Sequence, residues 1–432
     1  MSAPQPAEAA TSGSTQANDG SDRISLLSSV SVARGAETRP TAFVLNVSLA
    51  GLGAIRSLGR AGIPVVGLDP DETHVGFSSR YCDARKCPHP VRQPERLVEF
   101  LLDQAKRLDE PGLLSPASDA FVLFMSRYRA ELEGHFRFLL PSAEVVEASV
   151  DKRKLYELAQ RVGVPFAATH YPGDMADVHR IKHELEYPAY IKPYHSHLWQ
   201  MAFPGTGKGI KVFSPDELVT SFERIFPTGN EAMIQSIIVG PASNIRSVRV
   251  YIDRDGEVLG AFTNRKIRQF PTEFGRAVLA ESIHDPELRD MGLKFFRDIG
   301  YRGFGLIEFK RDDRDNLLKA TDLNPRWLKT VNLATDAGID FPLIHYLDLT
   351  GTPPPPQMEF KAGVRWLDAI GDVASARTLH REGNLSIRDA ARSWLGVRSF
   401  AVFAPDDWKP FLVEYDYGRR LLRAPLARIR RR

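Results

Sequence analysis

The sequence predicts an α/β protein, α+β in part. Residues 41–69 read strand, helix, strand, the order of a small parallel α/β unit. From Pro188 the pattern becomes mostly strands, and the turn Asp253-Arg254-Asp255-Gly256 joins two of them as a hairpin. Near residue 310 two acidic segments, 306–310 and 320–326, flank the polar turn 311–316. They read as a further hairpin that holds Glu308, Asp322 and Asn324 on neighbouring strands.

The elements follow in order. Residues 1–38 are rich in Ala, Ser, Thr, Gly and Pro and read as a disordered leader, with one short helix near Leu26. Order is expected from the buried strand 41–47, followed by a helix through Arg56 and Arg60 and a second strand over 64–69. Helices are expected over 95–109 and 120–132, with short strands at 112–117 and 138–141, which ends the first domain near 148. Asp151 caps a helix that starts at Lys152 and ends at Gly163. Strands follow at 189–192, 210–213, 232–235, 247–252 and 258–262, then a helix over 288–299 before the acidic hairpin. Pro353 to Pro356 read as a stiff linker into a shorter mixed segment, 359 to about 414.

Bulk properties exclude several classes. The chain has 432 residues, enough for two or three domains, with 43% apolar and 26% charged content. A net charge of +3 carries no nucleic-acid signature. Cys82 and Cys87 make neither a disulfide framework nor, with His89, a good zinc site, and reduced thiols fit the cytoplasm. No stretch approaches the roughly 20 apolar residues of a membrane span, and the run from Ile24 to Val32 is a weak match to a signal peptide. The seven arginines between Arg419 and Arg432 read as a solvated basic tail, or as a contact for an anionic surface.

The chemistry-bearing candidates lie from Lys192 onward. Three hard oxygen ligands, Glu308, Asp322 and Asn324, suit Mg2+ held against nucleotide phosphates. Asp312, Asp313 and Asp315 belong to the turn and are expected to be solvated. Lys192 closes an apolar strand, and the stretch 204–209, with Lys208, reads either as a phosphate-covering loop or as a surface hairpin. His195 and His197 alternate after Pro193 in a segment where histidines are commonly incidental. Arg265, Lys266 and Arg268 would repel one another without an anion, so phosphates or a substrate carboxylate are expected to meet them. Glu273 is the bland alternative partner. The run 46–53 is not Gly-x-Gly-x-x-Gly, which argues against a dinucleotide-binding oxidoreductase. No serine elbow or His-Glu-x-x-His helix appears.

The order of these segments resembles the ATP-grasp superfamily, and more narrowly the carboxylate–amine ligases such as D-aspartate ligases. The segments that carry the likeness are 56–65, 79–82, Asp151-Lys152, 190–193, 265–271 and 322–326. The resemblance covers roughly residues 41–350. It implies a pre-ATP-grasp α/β domain over 39–148 and an ATP-grasp domain over 149–355, with small and large lobes of about 149–235 and 236–355 clamping ATP. A C-terminal extension with the basic tail spans 356–432. By the same resemblance Lys152 and Lys192 face ATP phosphates, and Gln235, Ser236, Ile237 and Ile238 form the linker that meets adenine; Lys208 joins the nucleotide-binding set if its stretch is the phosphate-covering loop. Glu308, Asp322 and Asn324 hold two Mg2+ ions. Arg265 or Lys266 stabilises the moving phosphoryl group, and Arg326 faces the reacting carboxylate or γ-phosphate. Gln235 and Asp322 each stand where relatives usually carry glutamate.

The implied reaction joins a small-molecule carboxylate to an amine through an acyl phosphate, with release of ADP. A thiol or hydroxyl acceptor and a non-catalytic nucleotide-binding module are the alternatives. No nucleic-acid partner is expected, and a homodimer is the expected assembly.

Overall fold

A computed structural model describes residues 39–423 apart from 195–198, 200–201 and 204–208, with side chains as far as Asp416. Lys208, His195, His197, the leader and the end of the basic tail lie outside the described residues.

The first sheet is parallel throughout. It consists of β1 (Ala42–Leu45), β2 (Val65–Asp69), β3 (Asp83–Lys86), β4 (Gly112–Pro116) and β5 (Phe136–Arg137), in the order β3-β2-β1-β4-β5. β1, β2 and β4 are buried along their whole length, as central strands covered on both faces must be. The helix Leu49–Arg60 packs tightly against β1. A Cβ added at Gly51 would stand 2.1 Å from the Asn46 carbonyl oxygen, so only glycine permits that approach.

The second sheet has four antiparallel strands: β6 (Thr169–His170), β7 (Ala189–Pro193), β8 (Ile210–Val212) and β9 (Ala232–Ser236), in the order β6-β9-β7-β8. The helix Pro215–Ile225 covers one face through Leu218, Phe222 and Ile225. Its start follows the local rules: Ser214 accepts from the Glu217 amide, Pro215 is the first helical residue, and Asp216 and Glu217 lie in the first turn.

The third sheet carries most of the candidate chemistry. Its strands are β10 (Ile245–Ile252), β11 (Val258–Phe270), β12 (Arg276–Ser282), β13 (Gly303–Arg311), β14 (Leu318–Asn324), β15 (Arg365–Leu367) and β16 (Val397–Phe400), in the order β14-β13-β10-β11-β12-β15-β16. Both expected hairpins form, β10 with β11 and β13 with β14. Period-2 alternation separates the two faces. Val248, Val250, Ile307, Phe309 and Leu323 bury against the helices Pro286–Asp298 and Lys152–Arg161. On the opposite face Tyr251, Phe262 and Phe304 join a core with Trp327, Trp366 and Phe341. Toward the other end of that face the residues turn polar, and there a cleft opens.

The segment after the proline linker is more than an appendage. β15 pairs with β12, β16 pairs with β15, and the helix Ala369–Arg381 lies beside β11. The expectation of solvated turn carboxylates is corrected for Asp312. It is fully buried and accepts from Arg314 and from Lys319 at 2.8 Å. Burial opposes its ionisation, but those cations outweigh it and hold the carboxyl well below the usual range. A buried acceptor with several charged donors is a structural node of the hairpin.

Candidate active site

A cleft of about 2760 Å³ is lined by all three sheets and by the segment after the linker. From the first sheet come the loop residues Ser48 to Ala50, with His74 and Val75. Their shape is set by Asp69, which accepts from the Val47 amide at 2.8 Å and from Asn46 Nδ2 at 3.0 Å, and meets His74 Nδ1 at 2.7 Å. The hydrogen bond to Asp69 raises the His74 imidazole above its ordinary pKa, against the effect of burial.

The acidic hairpin forms one row of the wall. Glu308 and Asp322 are directly paired across β13 and β14, and Ser247 and Asn264 continue the row across β10 and β11. Asn324, one step along β14, donates to Asp322 Oδ2 at 2.9 Å. Lys266 lies 3.0 Å and 2.9 Å from the two Glu308 oxygens. Lys152, the first residue of its helix, makes a close ion pair with Asp322. Asp151 places it there by accepting from the Arg153 amide at 2.9 Å as the helix cap. Burial opposes charge on both partners. Their mutual attraction outweighs it, so the Asp322 carboxyl falls below its usual range and the Lys152 ammonium rises above.

The second sheet supplies the facing wall. Lys192, near the end of β7, donates to Gln235 Oε1 at 2.6 Å, and Gln235 Nε2 donates to Thr169 at 2.9 Å. After Ser236 the chain leaves β9 as Ile237 and Ile238, whose carbonyls accept from Arg314 at 3.0 Å and Lys310 at 2.7 Å. These residues all line the cleft except Arg314 and Thr169.

The structure sorts the basic cluster residue by residue. Lys266 and Arg268 line the cleft, whereas Arg265 does not. Arg265 donates to Glu281 at 2.7 Å, and Arg365 reaches the same carboxylate at 3.0 Å. Arg268 forms a buried bidentate pair with Asp372 at 2.7 and 2.6 Å. The expectation that external anions are needed is therefore corrected: Glu281, Glu308 and Asp372 already neutralise the three cations. Glu273, the bland alternative, instead meets Lys211 at 3.1 Å.

Arg326 also lines the cleft, but its fork is engaged. Its Nε and Nη2 donate to the two oxygens of Asp119 at 2.5 and 3.1 Å. Asp119 begins the helix Asp119–Arg127 behind β4, so this pair ties the first sheet to the end of β14.

Sequence reasoning missed Arg249. It is 1% exposed, yet it lines the cleft from the centre of β10. The available signal was its place in the alternating run Ser247-Val248-Arg249-Val250-Tyr251, which puts a cation on the Ser247 face of a buried strand.

Among the described residues no three His, Cys, Asp or Glu side chains cluster for a metal. The candidate seat comprises two carboxylates and one amide. That set fits Mg2+, which takes one or two carboxylates and completes its shell with phosphate oxygens and water. The lysines beside those carboxylates match the phosphates in charge.

No family model matches the chain. It is 25% identical over 240 residues to D-aspartate ligase of Enterococcus faecium, covering 54% of this chain and 57% of that protein. It is 24% identical over 240 residues to the 2-oxoglutarate carboxylase small subunit of Hydrogenobacter thermophilus, covering 52% and 47%. The match thus spans about half the length of these relatives. Among solved structures, the biotin carboxylase domain of the Hydrogenobacter thermophilus enzyme, in complex with MgADP, ADP and bicarbonate, superposes with a TM-score of 0.59 at 19% identity, covering 76% of this chain and 74% of that one. An ADP complex of N5-carboxyaminoimidazole ribonucleotide synthetase gives 0.60 at 14% identity, covering 80% and 86%. With this three-sheet architecture and these relatives, the chain belongs, at the level of the superfamily, to the ATP-grasp proteins.

Proposed function

We propose that the protein is an ATP-dependent carboxylate–amine ligase that works through an acyl phosphate. The observation that carries this reading is the paired row Glu308–Asp322, each carboxylate met by its own lysine inside a cleft with a facing cationic wall. D-aspartate ligase among the relatives, and the MgADP and bicarbonate bound to a structural neighbour, support the same chemistry.

In the proposed reaction a carboxylate oxygen of the substrate attacks the γ-phosphorus. The bond from that phosphorus to the β–γ bridging oxygen breaks, and ADP leaves with the electron pair. The amine nitrogen then attacks the acyl carbon, the carbon–oxygen bond to phosphate breaks, and the nitrogen loses a proton. Inorganic phosphate and an amide remain.

Roles for the chain's residues follow from placement. Glu308, Asp322 and Asn324 would hold Mg2+, which neutralises charge on the phosphoryl oxygens when bound with the nucleotide. Lys152 and Lys192 would move from Asp322 and Gln235 to phosphate oxygens. Residues 235–238 would border the base. Lys266, the member of the Arg265–Lys266 pair that lines the cleft, would stabilise the transferring group. Closure of the small lobe would keep water from the acyl phosphate.

The test is a screen for carboxylate-dependent ADP release, with hydroxylamine as a trapping amine. Hydroxamate that forms only with ATP and one class of acid supports the reading. Nucleotide binding without ADP release for any acid would refute it. Comparing amines, thiols and alcohols as acceptors decides the bond type.

A further inference from the structure

We infer that Arg249 is the carboxylate-binding residue of the cleft, its guanidinium fork receiving the organic acid beside the Glu308–Asp322 row. Calling that acid a substrate rests on the ligase reading; the binding site itself rests on geometry.

Around the cleft, Lys152, Lys266, Arg265, Arg268, Lys329 and Arg326 each have a carboxylate on this chain: Asp322, Glu308, Glu281, Asp372, Asp368 and Asp119. Among the described residues Arg249 forms no ion pair. Its Nη2 donates to the neutral hydroxyl of Thr330 at 2.6 Å, and its guanidinium lies 5.2 Å from the Phe262 ring centroid. Its Nε and Nη1 are buried and donate to nothing among the described residues. A guanidinium stays charged at neutral pH, so a buried, unmatched positive charge is costly unless a ligand completes it. Burial pushes its pKa down to about 9, and among the described residues no carboxylate offsets the effect.

Position adds to charge. Arg249 stands opposite Leu306 on β13 and Phe262 on β11, one same-face step beyond the row of Ser247, Glu308 and Asn264. Two residues along a strand are about 7 Å. Beyond Arg249 the same face closes into the core at Tyr251. The arginine therefore sits where the polar cleft meets its apolar end. One unmatched guanidinium with two free donor groups suits a planar monoanion, and a carboxylate has that charge and shape. Arg326, which the resemblance places at the reacting carboxylate or the γ-phosphate, has its fork filled by Asp119.

The test uses the full chain saturated with ADP, with thermal shift titrations of acetate, succinate and the D and L amino acids. The wild-type protein is expected to respond to at least one acid. Arg249→Gln is expected to weaken that midpoint at least tenfold while leaving the ADP titration unchanged. Arg249→Lys keeps the charge but loses the fork, and it is expected to stay weak; this variant carries the test if the glutamine variant does not fold. Wild-type midpoints in both variants, parallel loss of ADP binding, or no response of the wild type to any acid would overturn the inference. A carboxylate response that depends on Arg249, without ADP release in turnover assays, keeps this site and refutes the ligase reading instead.

Discussion

Glu308 and Asp322 face each other across β13 and β14, and the lysines that meet them come from different parts of the fold. Lys266 reaches Glu308 from β11, two strands away, while Lys152 reaches Asp322 from the start of a helix. Since both lysines contact the carboxylates directly, the site is assembled by tertiary structure and is sensitive to single changes.

Glu308→Gln and Asn324→Ala are expected to lower ATP turnover by about 100-fold or more. Neither is expected to unfold the protein, since Glu308→Gln keeps an oxygen to accept from Lys266 and Asn324→Ala removes no charge. Steady-state ADP release beside a melting curve checks both statements, and near-normal turnover in both variants would remove the metal assignment.

Lys192→Ala removes a charged donor from the facing wall. Its expected effect is a 10- to 100-fold weaker nucleotide affinity, corresponding to roughly 1.5–3 kcal/mol for a charge-assisted bond. Calorimetric titration with a nonhydrolysable ATP analogue measures it, and an unchanged Kd contradicts the placement.

Arg268 and Asp372 are 6% and 0% exposed in their side chains, and they fasten the helix Ala369–Arg381 to β11. Arg268→Met leaves a buried carboxylate uncompensated and is expected to cost about 3–5 kcal/mol. Arg268→Met with Asp372→Leu should recover much of that loss in a denaturant-melt double-mutant cycle. Additive losses would show that the two side chains are not coupled.

His345 gives a pH signature. Burial lowers its pKa from 6.5 to about 4, partly offset by the backbone of Leu114. The unfolded chain therefore binds more protons between those values, and stability falls as the pH drops from about 6.5 to about 4. The linkage amounts to about 3 kcal/mol. His345→Phe is expected to flatten the stability profile across that interval, measured by urea melts at successive pH values.

Local pattern made much of the fold legible. The strands around residues 42, 65, 189, 247 and 258 and both hairpins follow from alternation and turn chemistry, and those turns position Glu308 opposite Asp322. What stayed hidden depends on distant pairing. Arg326 and Asp119 are 207 residues apart, and Arg268 meets Asp372 across 104. No local rule distinguishes a cation that awaits a ligand from one already matched. Asp312 looked solvated because its neighbours are polar, yet the turn folds Arg314 and Lys319 over it. β15 and β16 were missed because strands of three and four residues carry too little periodicity to register.

The lysine–carboxylate pairs have a thermodynamic consequence. A magnesium nucleotide entering this cleft would exchange partners with Lys152, Lys266, Asp322 and Glu308 instead of capturing bare ions. Ion pairs are broken and made in similar number, so added salt weakens the starting state and the complex together. Nucleotide affinity should then vary only gently with ionic strength, despite the number of charges that meet at the site.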